Sequence, residues 1–311
     1  MIKYSLFLLL IFVLFIEDAK AQSALDSIPS NKQFSNLDEA LKHPEDVYKL
    51  DLSNQNLQLS DTAWAQFINL QYLSLKNDHL LQIPMGVGSL RNLKVLDLSG
   101  NDFKVLPSTF TNLTNLQELY LNDEKYFNLE KNIPILSTLP NLRSLHIEND
   151  GLKSLPNDIS KLSNLESLYL NNNQFKQIPV GLGYLKNLKV LDLSGNNFKV
   201  LPSTFTNLVN LQELYLNDDK RLKFEKNISI LSTLPNLKSL HIENDGLKSL
   251  PKDIYKLNRL ESLYLNNNQF KQVPIELKGL ENLEYLDFHG NEFRMPAQGT
   301  QSPNSGFIIR F

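Results

Sequence analysis

The sequence predicts an α/β solenoid: a horseshoe of stacked coils with a parallel β-sheet on the concave wall and short helices or 3₁₀ turns on the convex one. Three observations predict it. A Leu-x-x-Leu-x-Leu pattern recurs eleven times, starting at Val47, Leu70, Leu93, Leu116, Leu142, Leu165, Leu188, Leu211, Leu237, Leu260 and Leu283. Its spacing is 23 residues, lengthened to 26 between Leu116 and Leu142 and between Leu211 and Leu237, a period typical of stacked supersecondary units. A four-unit block of 95 residues is itself repeated: residues 93–187 and 188–282 align without a gap and differ at 19 positions, the mark of a tandem duplication.

The unit at 93–115 shows why each coil forms. Leu93, Leu96 and Leu98 alternate with polar residues, as a strand with one apolar side requires, while Leu106, Phe110 and Leu113 follow the spacing of one face of a helical turn. A single unit cannot bury both faces, but stacked units can, at ~4.8 Å per strand. The outer elements are wider than the strands, so the stack bends into an arc. This pattern over residues 47–293, with Asn101 after the strand and Leu106-Pro107 following, resembles the leucine-rich repeat family. The 23-residue length is similar to the class found in Ras-binding intracellular proteins and in many bacterial ones. The resemblance implies a right-handed horseshoe.

Asn101, Asn173, Asn196, Asn268 and Asn291 fall where an inward amide bonds the backbones of neighbouring coils. Gln55, Asp78, Glu124, Asp150, Asp219 and Asp245 replace it. An ionised carboxylate has no amide donors, so the ladder is expected to be interrupted at those coils. In the two 26-residue units, Asn122-Asp-Glu-Lys125 and Asn217-Asp-Asp-Lys220 lead into Glu130-Lys-Asn-Ile133 and Glu225-Lys-Asn-Ile228, which reads as a charged loop feeding a longer outer helix.

The ends are different in kind. Lys3, the apolar run 6–16 and Ala19-Lys20-Ala21 read as a signal peptide over residues 1–21, cleaved after Ala21. The run is too short to span a bilayer, and Gln22 in place of Cys leaves no lipid attachment, so no stable membrane insertion is expected. Residues 22–46 make a leader and an N-terminal cap: 22–33 lack apolar periodicity, and Ser35-Asn-Leu37-Asp38-Glu-Ala40-Leu41 carries the signature of a capping helix. Residues 294–311 form a tail, a Pro/Gly/Ser linker ending in Phe307-Ile-Ile-Arg-Phe311, which is read as a strand folded over the last coil rather than as a sorting signal. Extracellular animal and plant members of the resembled family protect their ends with paired cysteines. This chain has none, and its entry at 34–47 is similar to bacterial members, so the expected location is the periplasm, the cell surface or the medium.

Composition removes several functions. The chain has 31 basic and 34 acidic residues and no cysteine, which excludes thiol chemistry and disulfides and gives no electrostatic footprint for nucleic acid. No phosphate-binding glycine loop and no nucleophile in a strained turn occurs, so neither a cofactor nor enzyme activity is expected. A metal at His146 and Glu148 would need Asn or Tyr to complete its ligands, a poor set.

Function therefore rests on the side chains that the strands push outward. The first, fourth and sixth positions of each unit are buried, which leaves the second, third, fifth, seventh and eighth on the concave wall. The fifth positions form a column: Asp97, Tyr120, His146, Tyr169, Asp192, Tyr215, His241, Tyr264 and Asp287, flanked by Glu118, Glu148, Glu213 and Glu243 and by Asn122, Asn171, Asn217 and Asn266. Thirteen acids against six bases give this wall a charge of −7. An acidic stripe of wet aromatic residues, with surface histidines among them, suits a basic or mixed-charge protein surface. The chain itself is expected to be a monomer or to self-associate weakly. A surface-adhesion or self-assembling protein, acting through the 26-residue-unit loops and the C-terminal edge, is the alternative reading.

Overall fold

The computed structural model describes residues 33–55, 61–292 and 308–310. The expected signal peptide and its cleavage site, most of the leader and the linker before the final strand lie outside them.

Among the described residues one parallel sheet contains β1 (Gln33–Phe34), β2 (Lys49–Asp51), β3 (Tyr72–Ser74), β4 (Val95–Asp97), β5 (Glu118–Tyr120), β6 (Ser144–His146), β7 (Ser167–Tyr169), β8 (Val190–Asp192), β9 (Glu213–Tyr215), β10 (Ser239–His241), β11 (Ser262–Tyr264), β12 (Tyr285–Asp287) and β13 (Ile308–Arg310). Each strand pairs with its sequence neighbours, in chain order. From β2 to β12 the register superposes equivalent positions of successive coils, as in Leu119 on Leu145 on Leu168. One continuous core runs from Ala40 to Phe288, filled by the leucines of the strand motif and by the convex Phe110, Phe205 and their equivalents.

Local chemistry explains the coil. Seven convex turns are 3₁₀ helices that start directly after a proline, from Pro84 to Pro274. The ring fixes φ and leaves no N–H to satisfy at the chain's entry into the turn. The eighth position takes a left-handed backbone, φ near +60°, and is filled by Asn, Asp or Gly, residues that accept that conformation at little cost.

Four α-helices occur among the described residues: α1 (Leu37–Ala40), α2 (Asp61–Trp64), α3 (Leu129–Leu136) and α4 (Phe224–Leu231). The longer pair, α3 and α4, follows the charged loops of the two 26-residue spacings. Each is tied inward by an asparagine that the sequence pattern did not single out. Asn132 accepts from Leu106 N–H at 2.7 Å and Asn227 from Leu201 N–H at 2.7 Å, and both amides donate back to backbone carbonyls. The capping helix α1 is a single turn whose cap is Asn36, accepting from Glu39 N–H, with Glu39 as its third residue. Before it, Gln33–Phe34 extends the sheet as β1, where a loose leader was expected to reach residue 33. At the other end β13 lies parallel to β12, so residues 308–310 cover the edge of the coil that carries β12.

The asparagine ladder differs from its sequence expectation. Asn101 works as foreseen: its Oδ1 accepts from Asp78 and Leu80 N–H, and its Nδ2 donates to the carbonyls of Leu75 and Leu98. At the carboxyl coils the accepting half of this pattern survives. Asp78 accepts from Gln55 N–H at 2.7 Å, Glu124 from Asn101 N–H at 2.8 Å, Asp150 from Glu124 N–H at 2.7 Å and Asp245 from Asp219 N–H at 2.6 Å. The remaining oxygens of Glu124, Asp150, Asp219 and Asp245 are buried without a bonded partner. Burial pushes Glu124 and Asp150 up to about 8, Asp245 to about 7 and Asp219 to about 6. Glu124 and Asp150 thus favour the protonated form at neutral pH, which spares the coil the cost of burying an unpaired charge. The ladder is modified at these coils, not broken.

Candidate functional site

The fifth position of each coil is the last residue of its strand, and in-register parallel pairing stacks these side chains one strand step apart. In the first block Tyr120, His146 and Tyr169 lie on β5, β6 and β7, with ring centroids 4.1 and 4.3 Å apart and planes within 19° and 9° of parallel. Tyr215, His241 and Tyr264 repeat the arrangement on β9, β10 and β11 at 4.0 Å for both contacts.

Carboxylates clamp each stack from the third and seventh positions. The hydroxyl of Tyr120 donates to Glu118 Oε1 at 2.6 Å, and that of Tyr215 to Glu213 Oε1 at 2.5 Å. His146 places Nε2 3.3 Å from Glu118 and Nδ1 3.2 Å from Glu148; His241 does the same with Glu213 and Glu243 at 3.3 and 3.2 Å. Ser144 and Ser239, unremarkable in the sequence, add a hydroxyl beside Nε2 at 3.0 and 3.1 Å. Glu148 receives the amides of Asn122 and Asn171, and Glu243 that of Asn266, while Asn217 accepts from the Glu243 N–H. The flanking Glu and Asn columns are therefore a brace for the rings.

This changes the expectation of wet tyrosines and surface histidines. His146 is 9% exposed and His241 7%, because each is sandwiched between two rings and bounded in plane by two carboxylates. The tyrosines are half-buried and offer edges to the concave space.

The electrostatics follow from the same contacts. Burial alone would lower the histidine pKa, but the bonds and charges of Glu118 and Glu148 outweigh it and hold His146 above its ordinary value; Glu213 and Glu243 do so for His241. A carboxylate oxygen faces each ring nitrogen, so the contacts on both sides favour the charged ring over the neutral one. Glu148 and Glu243 lie below the usual carboxylate range in spite of burial, through the histidine and asparagine bonds. Burial drives the phenols upward, Tyr169 to about 12 and Tyr120, Tyr215 and Tyr264 further still, so all stay neutral.

Asp97, Asp192 and Asp287 occupy the same column outside the stacks. Each turns one oxygen onto the N–H two residues on, of Ser99, Ser194 and His289. Asp287 also meets the His289 ring at 2.6 Å and the Arg310 guanidinium at 3.5 Å. Arg310 carried no signal in the sequence, since its contact depends on where β13 docks.

The residues from 46 to 293 match family models. A model described as a leucine-rich repeat region covers 46–150 and 127–235, and one described as a leucine rich repeat covers 235–293. The chain belongs to the leucine-rich repeat family. Solved structures agree on the fold. An internalin of Listeria monocytogenes matches with a TM-score of 0.57 and 24% identity, over 81% of this chain and 76% of that one. A chain of the TLR13 complex with ssRNA13 matches with a TM-score of 0.62 and 26% identity, over 80% of this chain and 41% of that one. A chain of the Toll–Spatzle complex of Drosophila matches with a TM-score of 0.53 and 21% identity, over 80% and 38%. This leucine-rich repeat chain thus spans about two fifths of the length of the TLR13 and Toll–Spatzle chains. No curated protein matches it.

Among the described residues of the leucine-rich repeat protein, no group of three His, Asp or Glu is arranged to hold a metal ion, and no helix is long and apolar enough to cross a membrane.

Proposed function

We propose that this leucine-rich repeat protein is an exported, non-enzymatic recognition module that captures a protein partner on its concave wall. The observation that carries the reading is the pair of braced Tyr–His–Tyr stacks. Rings held parallel by carboxylates lose little conformational freedom on binding, and aromatic edges set in an acidic wall offer apolar contact and charge selection together. The wall's excess of seven acids favours a basic or mixed-charge protein and disfavours RNA, the ligand in the TLR13 structure. Binding to a protein is the mode of the Toll–Spatzle neighbour.

Catalysis is not proposed. The histidines already face carboxylates through both nitrogens, which occupies the positions a general base would offer a substrate, and the open arc excludes little water. Export is supported by the signal-peptide pattern of residues 1–21, with residues 47–293 furnishing the eleven repeats of the mature protein. The test is a crosslinking pull-down with residues 22–311 against envelope and exterior extracts. It is run beside a variant with Tyr120, Tyr169, Tyr215 and Tyr264 changed to Ala that unfolds at a comparable temperature. The parent is expected to retain a protein that the variant loses; capture of the same set by both contradicts the reading.

A further inference from the structure

The junction of the two 95-residue blocks creates a feature that neither block has alone. Asp192 opens the second block and lies opposite Tyr169 on one side and Tyr215 on the other. Tyr169 spends one face on His146 and Tyr215 one face on His241. Their other faces look toward each other across the short aspartate. Ring spacing within the stacks is 4.0–4.3 Å per coil, so two coils separate these faces by about 8 to 9 Å. That is the space of one flat group missing from a continuous column. A group at its midpoint would sit ~4 Å from each ring, inside the ~6 Å reach of a cation–π contact.

The floor of the gap is an acid without a counter-ion. Asp192 bonds the N–H of Ser194 at 2.8 Å, and no cation among the described residues lies within ion-pair distance. Three of the wall's six bases are engaged along another column: Arg143 and Lys189 meet Glu166, and Lys238 meets Glu261. The equivalent acid one block later shows what completes such a position. Asp287, beside Tyr264, carries the guanidinium of Arg310 from β13. Asp97, the first of the series, has Tyr120 on one side and Ser74 on the other, hence a single aromatic wall.

We propose that Asp192, Tyr169 and Tyr215 form a slot for a guanidinium group, supplied by an arginine side chain of the protein partner. This deepens the reading of the concave wall as the binding face and rests on it. Arginine fits better than lysine because the guanidinium is flat, more weakly hydrated and able to stack on two rings while donating to the carboxylate below. A neutral aromatic ring would fill the gap but leave the carboxylate unpaired.

The slot is tested with the full mature chain carrying ¹³C-labelled tyrosine, titrated with N-acetyl-arginine methylamide. The ring signals of Tyr169 and Tyr215 are expected to shift along one isotherm while those of the convex Tyr184 and Tyr255 stay fixed. D192N keeps the acceptor for Ser194 and is expected to weaken binding about tenfold. D97N is expected to leave it unchanged. The lysine and phenylalanine methylamides are expected to bind at least about threefold more weakly. Unmoved Tyr169 and Tyr215 signals, equal binding by D192N, or phenylalanine binding as tightly as arginine each overturn the slot. Partner capture distinguishes the two levels: capture undiminished in D192N but lost in the four-tyrosine variant overturns the slot and leaves the concave wall standing. Capture kept by both overturns the wall as well.

Discussion

A carboxyl in the place of a ladder asparagine is the substitution in this solenoid that responds most to solvent conditions. Asp150 bonds the Glu124 N–H with one oxygen and buries the other without a partner, and burial raises it from the ordinary aspartate range to about 8. A carboxyl whose folded pKa exceeds its unfolded one gives its full stabilisation below the unfolded pKa and loses it as pH rises through the folded pKa. Stability is therefore expected to fall between about pH 4 and 8 at this site. Glu124, Asp123 and Glu148 are the charged or titratable groups around it, and the raised His146 and His241 act in the same direction. Asp150→Asn restores a permanent amide donor. Urea unfolding at pH 8.5 should show the variant more stable than the parent by ~1 kcal/mol, with the difference vanishing near pH 4. A variant less stable than the parent at pH 8.5 would mean that the ionised carboxylate is not penalised by its burial at this coil. The sequence reading erred here because it took the side chain as ionised, and ionisation is set by burial, which the residue type does not carry.

At the scale of elements, the duplication is an internal mutagenesis experiment. Helices α3 and α4 share their inward Asn, but α3 is capped by Asn128 Oδ1, which accepts from Lys131 N–H at 3.0 Å, whereas Lys223 at the same place in α4 makes no cap. Lys223→Asn should stabilise the protein by ~1 kcal/mol, and Asn128→Lys should cost a similar amount, both measurable by denaturant titration. A neutral outcome for both changes would show that the cap adds nothing to what the inward Asn132 and Asn227 and the buried apolar faces of these helices already supply. The strands, the proline-led turns and the two longer helices were legible in the sequence because period and turn chemistry are local. The short β1 and the Arg310 contact were not, since each depends on a neighbouring coil fixing the register of a few residues.

At the scale of the whole molecule, the two blocks have diverged unevenly. Of their 19 differences, one falls on the concave positions, Arg143 against Lys238, and it preserves charge. The others lie in the loops and on the convex side, where Tyr126 faces Arg221 in the alignment and Tyr184 faces Gly279. A wall kept in two copies while its back changes fits a surface under a binding requirement. The sequence gives the column and its charge; it does not show that the rings stack, that the histidines are enclosed, or that the block junction leaves a gap, because these follow from coil spacing. The most direct measurement is hydroxyl-radical footprinting of the captured complex, read at individual tyrosines. Tyr126, Tyr184 and Tyr255 are 47%, 50% and 52% exposed away from the wall and serve as internal references. Protection of Tyr120, Tyr169, Tyr215 and Tyr264 beyond their level in the free protein, with the three references unchanged, is the predicted result. Protection of Tyr126, Tyr184 or Tyr255 with the concave tyrosines unchanged would contradict the account.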